Sequence, residues 1–217
     1  MSTEPASTSI EPNAALREQM LRPLLSRRSV SPKRLVSPGP DLAALDLILQ
    51  AALSAPDHGG LHPWRVIEFR AEQRAELAAL FEAEKRRRDP LATPVDILRA
   101  RDHALTPPVL LGFVVAPQMR TKIPLREQWL AAGAALGNLL NAAHQLGYGA
   151  IVLSGERCFD AALTAALGVS GDEQLAGFVS IGTTAKAPPA VHRPLSQTVW
   201  SRWLGNSAGT DHDPTQR

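Results

Sequence analysis

Residues 54–64 read Ser-Ala-Pro-Asp-His-Gly-Gly-Leu-His-Pro-Trp, and they join an apolar helical pattern to the start of a strand pattern. Two prolines and two adjacent glycines predict a tight connection, because proline fixes φ and glycine adopts backbone conformations that other residues avoid. Adjacent glycines also let main-chain amides approach a flat ligand closely. The stretch therefore predicts either a helix-to-strand turn with solvated histidines or the rim of a binding site.

Helical and strand patterns lie on both sides of this turn without strict alternation. The spacing of apolar residues predicts helices over 13–26, 42–53, 71–88, 94–103, 124–146 and 158–167, and strands over 64–69, 109–115, 149–153 and 174–181. Residues 109–115 are continuously apolar, which is typical of a strand buried on both faces. We expect that strand to lie in the interior of the sheet.

Two other segments predict contacts beyond an ordinary core. The helix over 124–146 is apolar nearly all round and carries Gly133 and Gly137 one turn apart, so another backbone or a flat ligand is expected to come close there. Residues 187–204 combine three prolines with Trp200 and Trp203, which predicts an extended arm. The arm either lies across its own domain or reaches a second subunit.

Composition limits the class of protein. The chain has 217 residues, 44% of them hydrophobic and 20% charged, which is typical of one folded globular domain. The net charge of +2 disfavours a dedicated nucleic-acid binder. Residues 1–12 and 205–217 lack hydrophobic anchors, so we expect two disordered tails around a domain over 13–204.

The compartment follows from the cysteine count and from the apolar stretches. Cys158 is the single cysteine, so no intrachain disulfide or cysteine-based metal site is expected, and a cytoplasmic location fits. No secretion signal is visible near the N-terminus. The apolar stretches are also shorter than the ~20 residues that a membrane-spanning helix needs.

Arg27, Arg28 and Ser29 combine two permanent cations with a hydroxyl group. This combination suits a phosphate monoester, which accepts charge-assisted hydrogen bonds from guanidinium groups. The alternative is a basic helix end that simply faces water.

Other chemical motifs are weaker. His58 and His62 lack an obvious third ligand, so no metal site is predicted. The His-Gly-Gly run resembles the oxyanion loop of α/β-hydrolases, but no G-x-S-x-G motif accompanies it, so a cofactorless hydrolase is a distant alternative. Neither a G-x-G-x-x-G nor a G-x-x-x-x-G-K-[ST] motif is present, so any nucleotide is held in another way.

Taken in order, the motifs resemble the nitroreductase superfamily, and most closely its short branch. The resemblance spans about residues 21–185 and rests on the order of Arg27-Arg28-Ser29, the 54–64 turn, Glu127-Gln128, Gly147-Tyr148-Gly149, Ser154-Gly155 and Gly182-Thr183. It implies an α+β fold with a central mixed β-sheet surrounded by helices. It also implies a homodimer that binds FMN at the subunit interface.

The resemblance carries binding roles to particular residues and implies no catalytic side chain. Arg27 and Ser29 would hold the FMN phosphate, and Arg28 would reach the ribityl chain or the pyrimidine edge of the ring. Ser54 and His58 would line the flavin. Backbone groups of one segment would contact the isoalloxazine, and a helix end would contact the nicotinamide nucleotide. The segment at the isoalloxazine is Val152, Leu153 and Ser154. The helix end at the nicotinamide nucleotide is Ala142, Ala143, His144, Gln145, Leu146 and Gly147.

The implied function is that of an FMN-dependent NAD(P)H oxidoreductase of nitroreductase type. Electrons would pass by ping-pong transfer from NAD(P)H through the flavin to small nitroaromatic or quinone-like acceptors. Gly60, His62 and Leu153 depart from the residues that relatives carry at these positions. These departures leave open a flavin-binding protein with little or no turnover. The physiological substrate and the preference for NADH or NADPH also stay open.

Overall fold

The computed structural model describes residues 13–203, in which helices and strands follow one another irregularly along the chain. Both predicted tails, together with Leu204, lie outside the described residues. The helices are α1 (Ala14–Ser26), α2 (Leu42–Leu53), α3 (Arg74–Arg88), α4 (Pro94–Leu105), α5 (Leu125–Gln145) and α6 (Ala161–Ala166). The strands are β1 (Leu35–Val36), β2 (Trp64–Glu68), β3 (Val109–Val115), β4 (Gly149–Leu153) and β5 (Gln174–Thr184).

The strands form one sheet in which β5 pairs with β1, β3 and β4, and β3 also pairs with β2. The α+β class is therefore confirmed, and β3 lies in the interior as predicted. All of these ladders are antiparallel, so the expected mixed pairing is reduced to one isolated parallel bridge between Ser29 and Ala150. That bridge lies on the outer edge of β4.

Each face of the sheet is covered by a separate apolar layer. On one face α2 and α5 pack against Leu111 and Phe113 of β3. On the other face α3, α4 and α6 pack against the alternate residues Leu110 and Val114. Complete burial of one such side chain stabilises the fold by about 1.5–3 kcal/mol, so both layers contribute strongly. We call the layer with α2 and α5 the α5 face, and the layer with α3, α4 and α6 the α3 face.

Several boundaries differ from the sequence predictions for identifiable physical reasons. The predicted helix over 158–167 is wrong at its start, because Glu156–Phe159 forms a 3₁₀ turn and α6 begins only at Ala161. The Asp160 carboxylate accepts a hydrogen bond from the backbone N–H of Leu163, which caps the new start. β5 continues to Thr184, three residues beyond the predicted end, because its last residues pair with β1.

The outward side of α5 is open. A Cβ atom added at Gly133 or Gly137 would meet no other chain atom within 4 Å. Within residues 13–203 no other backbone comes close to these glycines, because α5 packs on the sheet through other residues such as Ala135 and Leu139. The alternative, that a flat ligand comes close there, stays a prediction. Within the same residues, no helix is long and apolar enough to cross a membrane.

Candidate functional site

The 54–64 turn is held by hydrogen bonds and by left-handed backbone conformations. The φ angles of Gly59, Gly60 and His62 are +77°, +63° and +47°, a region that favours glycine. The carboxylate of Asp57 accepts a hydrogen bond from the backbone N–H of His62 at 2.6 Å. The predicted tight connection is therefore confirmed, and a side-chain acceptor at Asp57 stabilises the left-handed turn.

The turn is also tied to the start of α5. Nδ1 of His58 lies 2.7 Å from Oε2 of Glu127, a residue that is 69 positions away in the sequence. The buried amide of Gln128 fixes the preceding loop, because it donates to the carbonyls of Gln118 and Ile123. Glu127 was not among the predicted site residues, and the Glu-Gln pair at a helix start was its sequence signal. The contact sets the orientation of the His58 ring.

The predicted phosphate-binding residues lie together in a basic corner, which we define as Arg27, Arg28, Ser29 and Arg193. These residues line a cavity of about 660 Å³ together with four further residues of the arm, which also contains Arg193. The guanidinium of Arg193 donates to the carbonyl of Arg27 at 2.8 Å, and that of Arg28 donates to the carbonyl of Val191. No acidic side chain lines this cavity in residues 13–203. In the part of the chain that the structure describes, the corner thus carries three guanidinium groups without a carboxylate among the lining residues.

Arg193 was missed by the sequence predictions. It lies in the proline-rich arm, 166 residues from Arg27, and no local motif distinguishes it from the other basic residues of the chain. The arm folds back on its own chain at this point. Residues 187–193 therefore follow the first predicted path, in which the arm lies across its own domain.

The basic corner is fixed to the edge of β4. The backbone N–H of Val30 donates to the carbonyl of Ala150 at 3.0 Å, next to the parallel bridge from Ser29. Because alternate residues of a strand point their peptide groups to the same edge, those of Val152 also face outward. Within residues 13–203 no strand pairs with this edge beyond Ala150. Val152 therefore presents a free backbone donor and acceptor beside the basic corner.

The predicted nicotinamide-binding segment, residues 142–147, lies close to the same corner. Nε2 of His144 is 3.1 Å from Oγ of Ser26, at the end of α1. Burial, and then the positive charge of Arg27, lower the pKa of His144 below its ordinary value. Gly147, with φ of +87°, lies just after the end of α5. The end of α5 and the basic corner therefore share one electrostatic environment.

The remaining predicted residues are divided between two places. Ser54 Oγ donates to the carbonyl of Ala51 and lies 3.4 Å from Nδ2 of Asn138 on α5. Neither Ser54 nor His58 lines the cavity of the basic corner. Val152, Leu153 and Ser154 line a different cavity, of about 580 Å³, that opens on the α3 face. Within a single chain, the predicted residues therefore form separate groups, and they do not line one enclosed pocket.

Comparison with known proteins gives a consistent result. The model of the Nitroreductase family matches residues 24–183. The Escherichia coli (strain K12) protein named "Putative NAD(P)H nitroreductase YdjA" is 30% identical over 175 residues, which are 79% of this chain and 92% of that protein.

Solved structures share the fold. A nitroreductase-like family protein from Bacillus cereus has a TM-score of 0.70 at 23% identity, over 86% of this chain and 96% of that one. A Desulfovibrio desulfuricans protein described as "a putative nitroreductase in complex with fmn" has a TM-score of 0.64 at 24% identity, over 85% of this chain and 96% of that one. With its family model, its relatives and its fold in agreement, this chain belongs to the nitroreductase family.

Proposed function

We propose that this protein is an FMN-dependent oxidoreductase that takes electrons from NAD(P)H and passes them to small nitroaromatic or quinone-like acceptors. The observation that carries the proposal is the basic corner, with three guanidinium groups and a hydroxyl around one cavity. The name of the E. coli relative and the FMN complex of the D. desulfuricans neighbour support it.

The residues fit the phosphate of FMN. A phosphate monoester carries close to two negative charges at neutral pH. Arg27, Arg28 and Arg193 offer planar donors that bind such a group bidentately, and Ser29 adds a hydroxyl. Since no acidic side chain lines the corner in the described residues, nothing there competes with the phosphate for these donors.

The spacing along β4 fits the rest of the ligand. From Ala150, beside the corner, to Ser154 is four residues, or roughly 13 Å of extended strand. The free backbone groups of Val152 lie between these points and would hold the edge of a polar ring. When bound, FMN supplies a ring that accepts a hydride and passes electrons onward. The protein's own task is to place that ring and to neutralise the phosphate.

We also propose that the protein is a homodimer. All residues of α1 are at least partly exposed, and they include Met20, Leu21 and Leu25. Leu130 on α5 is exposed next to the open side around Gly133. Large apolar surfaces of this kind mark protein–protein interfaces. A second copy placed on α1 and α5 would cover them and would lie beside the basic corner.

The arm provides a second reason for a dimer. Residues 187–193 contact their own basic corner, whereas Trp200 and Trp203 are 60% and 87% exposed. Tryptophan side chains are more commonly buried, because they carry a large apolar surface. We propose that this part of the arm lies on the partner subunit. We further propose that residues 13–204 act as one domain and that the protein works in the cytoplasm.

The visible spectrum of the purified protein tests this function. We expect yellow protein that binds FMN in equal number to the chains and loses its absorbance with anaerobic NADPH or NADH. Initial rates with a quinone should give parallel double-reciprocal lines. Protein that takes up no FMN would overturn the proposal. Bound FMN that neither nucleotide bleaches would instead support the flavin-binding alternative.

A further inference from the structure

The connection between β3 and α5 carries three exposed cations within seven residues. These are Arg120, Lys122 and Arg126, and residues 116–126 contain no Asp or Glu. Within residues 13–203 the three side chains form no hydrogen bond or ion pair. By contrast, all four basic residues at the end of α3 are paired with carboxylates. We call residues 116–126, which include the first two residues of α5, the cationic loop.

One buried side chain closes the cationic loop. The amide of Gln128 is 1% exposed and accepts a hydrogen bond from the backbone N–H of Gln118 at 2.8 Å. The same amide donates to the carbonyls of Gln118 and Ile123, each at 3.1 Å. Residues 118 and 123 therefore meet at one side chain, and Arg120 and Lys122 are carried on a compact turn between them.

The cationic loop lies against the 54–64 turn. Nε2 of Gln118 donates to the carbonyl of Leu61 at 2.7 Å. Glu127 follows the loop directly, but its Oε2 already lies 2.7 Å from Nδ1 of His58. The carboxylate nearest in the sequence thus holds the turn and is not paired with a cation of the loop.

The same loop borders the proposed subunit interface. Arg126 and Leu130 are four residues apart on α5, so they lie on the same side of that helix. Exposed charges of one sign raise the local concentration of ligands of the opposite sign. An anionic ligand that approaches this edge of the interface would therefore meet a positive potential.

We propose that the cationic loop binds the 2′-phosphate of NADPH and thereby selects NADPH over NADH. The proposal rests on the proposed function, in which a nicotinamide nucleotide reduces the flavin. FMN would occupy the basic corner with its own phosphate, and the nitroaromatic or quinone-like acceptors carry none, so the nucleotide is the remaining polyanion of the reaction. Its 2′-phosphate is a monoester with close to two negative charges at neutral pH. Arg120 and Arg126 would donate to its oxygens bidentately, and Lys122 would add a point charge.

Calorimetric titration of the FMN-saturated protein with NADP⁺ and NAD⁺ tests this preference, because the two nucleotides differ only in the 2′-phosphate. We expect NADP⁺ to bind at least about tenfold more tightly than NAD⁺ at low ionic strength. KCl at about 0.5 M should reduce this difference at least about threefold, because the cations are exposed and are screened by salt. Equal affinities for the two nucleotides at low ionic strength would overturn the proposal.

The isomers 2′-AMP and 5′-AMP separate a site for the 2′-phosphate from a general attraction of anions, because they carry the same charge. With the basic corner occupied by FMN, we expect 2′-AMP to bind at least about fivefold more tightly. Equal affinities for the two isomers would contradict the assignment.

A double substitution locates the binding on the loop. Arg120→Gln combined with Lys122→Gln should weaken NADP⁺ binding at least about fivefold and NAD⁺ binding less than about twofold. Arg99→Gln is the matched control, because Arg99 is an exposed cation on α4 that pairs with Asp96. It should leave both affinities unchanged. An equal loss of affinity for both nucleotides in the double variant, or no loss for NADP⁺, would overturn the proposal.

FMN uptake, measured first on the same wild-type protein, distinguishes the two levels of the proposal. Protein that takes up no FMN would overturn both the proposed function and the role of the cationic loop. Protein that binds FMN and is bleached equally well by NADPH and NADH, with equal affinities for NADP⁺ and NAD⁺, would keep the proposed function and refute only the role of the loop.

Discussion

At the scale of single residues, guanidinium groups define both cavities, but in opposite ways. Arg28 and Arg193 are reached by solvent and donate to backbone carbonyls. Arg157 is buried against an aromatic ring and shares the carboxylate of Glu84 with Arg88. The first group is suited to a doubly charged ligand that arrives from water, whereas the second is already paired with carboxylates of its own chain.

Replacing Arg28 by Ala should weaken FMN binding by about 1.5–3 kcal/mol, because a hydrogen bond to a charged group is lost. Where Arg28 reaches the ring, its loss should also lower the reduction potential, since the positive charge stabilises reduced flavin. Fluorescence titration with FMN measures the affinity. Arg22→Ala is the control, because Arg22 lies on α1, which ends shortly before Arg28, and does not line the cavity. Equal affinities for the two variants would remove Arg28 from the site.

The two glycines of the turn should differ in their tolerance of alanine. Both have positive φ, so each substitution should lower the free energy of unfolding by about 1–2 kcal/mol. A Cβ at Gly59 would also lie 2.5 Å from Cδ1 of Ile123, whereas one at Gly60 meets nothing within 4 Å. Moving the Ile123 side chain should add roughly 1 kcal/mol for Gly59→Ala. Urea denaturation of both variants checks this order, and the reverse order would contradict it.

At the scale of elements, short pieces of structure depend on single polar side chains. α6 is six residues long and starts at a carboxylate that also pairs with Arg87 on α3. The pairing therefore connects the start of α6 to a helix of the α3 face. By contrast, α2 and α5 are held mainly by the apolar residues that they bury on the sheet.

Asp160 should make stability depend on pH. The hydrogen bond from Arg87 is the main reason that the pKa of Asp160 lies below its ordinary value. Its stabilising effect is then complete above the unfolded-state pKa of about 3.9 and is lost as the pH falls through the lower folded-state pKa. Asp160→Asn keeps a capping side chain but loses the charge that pairs with Arg87, so it should cost about 0.5–1 kcal/mol at neutral pH and progressively less below pH ~4. Asp172→Asn is the matched control, because Asp172 is exposed in a loop.

Denaturant unfolding of both variants at several pH values measures these differences. A cost for Asp160→Asn that stays constant down to pH ~2 would show that the charge of Asp160 does not stabilise the fold.

The sequence predicted elements whose cause is local and missed those whose cause is distant. The apolar spacing of α2, α5 and β3 is present within each segment, so their positions were predicted to within about two residues. The end of β5 depends on pairing with Leu35 and Val36, which local spacing does not report. The same holds for the site. Arg27, Arg28 and Ser29 form a local motif, whereas Arg193 joins them through the path of the arm.

At the scale of the whole molecule, exposed apolar residues are scattered over several elements, and three groups of them lie on α1, on the outward side of α5 and at the end of the arm. The inward sides of both sheet layers are filled, with residues such as Ile48 and Ala78 fully buried. The core of the single chain is therefore closed, and the groups on α1 and α5 are the surface that we propose a second subunit covers.

Leu130→Glu should convert the proposed dimer into a monomer, because a buried unpaired carboxylate at an interface is strongly unfavourable. Sedimentation equilibrium measures the mass. Leu91→Glu serves as the control, since Leu91 is 90% exposed between α3 and α4. FMN affinity should fall together with dimerisation. A monomeric wild type, or a Leu130→Glu variant that remains dimeric, would refute this interface.

The late position of β5 in the chain affects how the sheet forms during synthesis. It is contacted by three other strands and forms part of both apolar layers, yet it is the last strand of the described chain to leave the ribosome. Until residue 184 has been synthesised, β4 lacks its partner strand, and β1 lacks its partner because that segment lies almost 150 residues downstream. The helical hairpin of α3 and α4, which is built from neighbouring residues, forms without that delay. During synthesis β2 and β3 can therefore pair early, whereas β1 and β4 join the sheet only after β5 has been made.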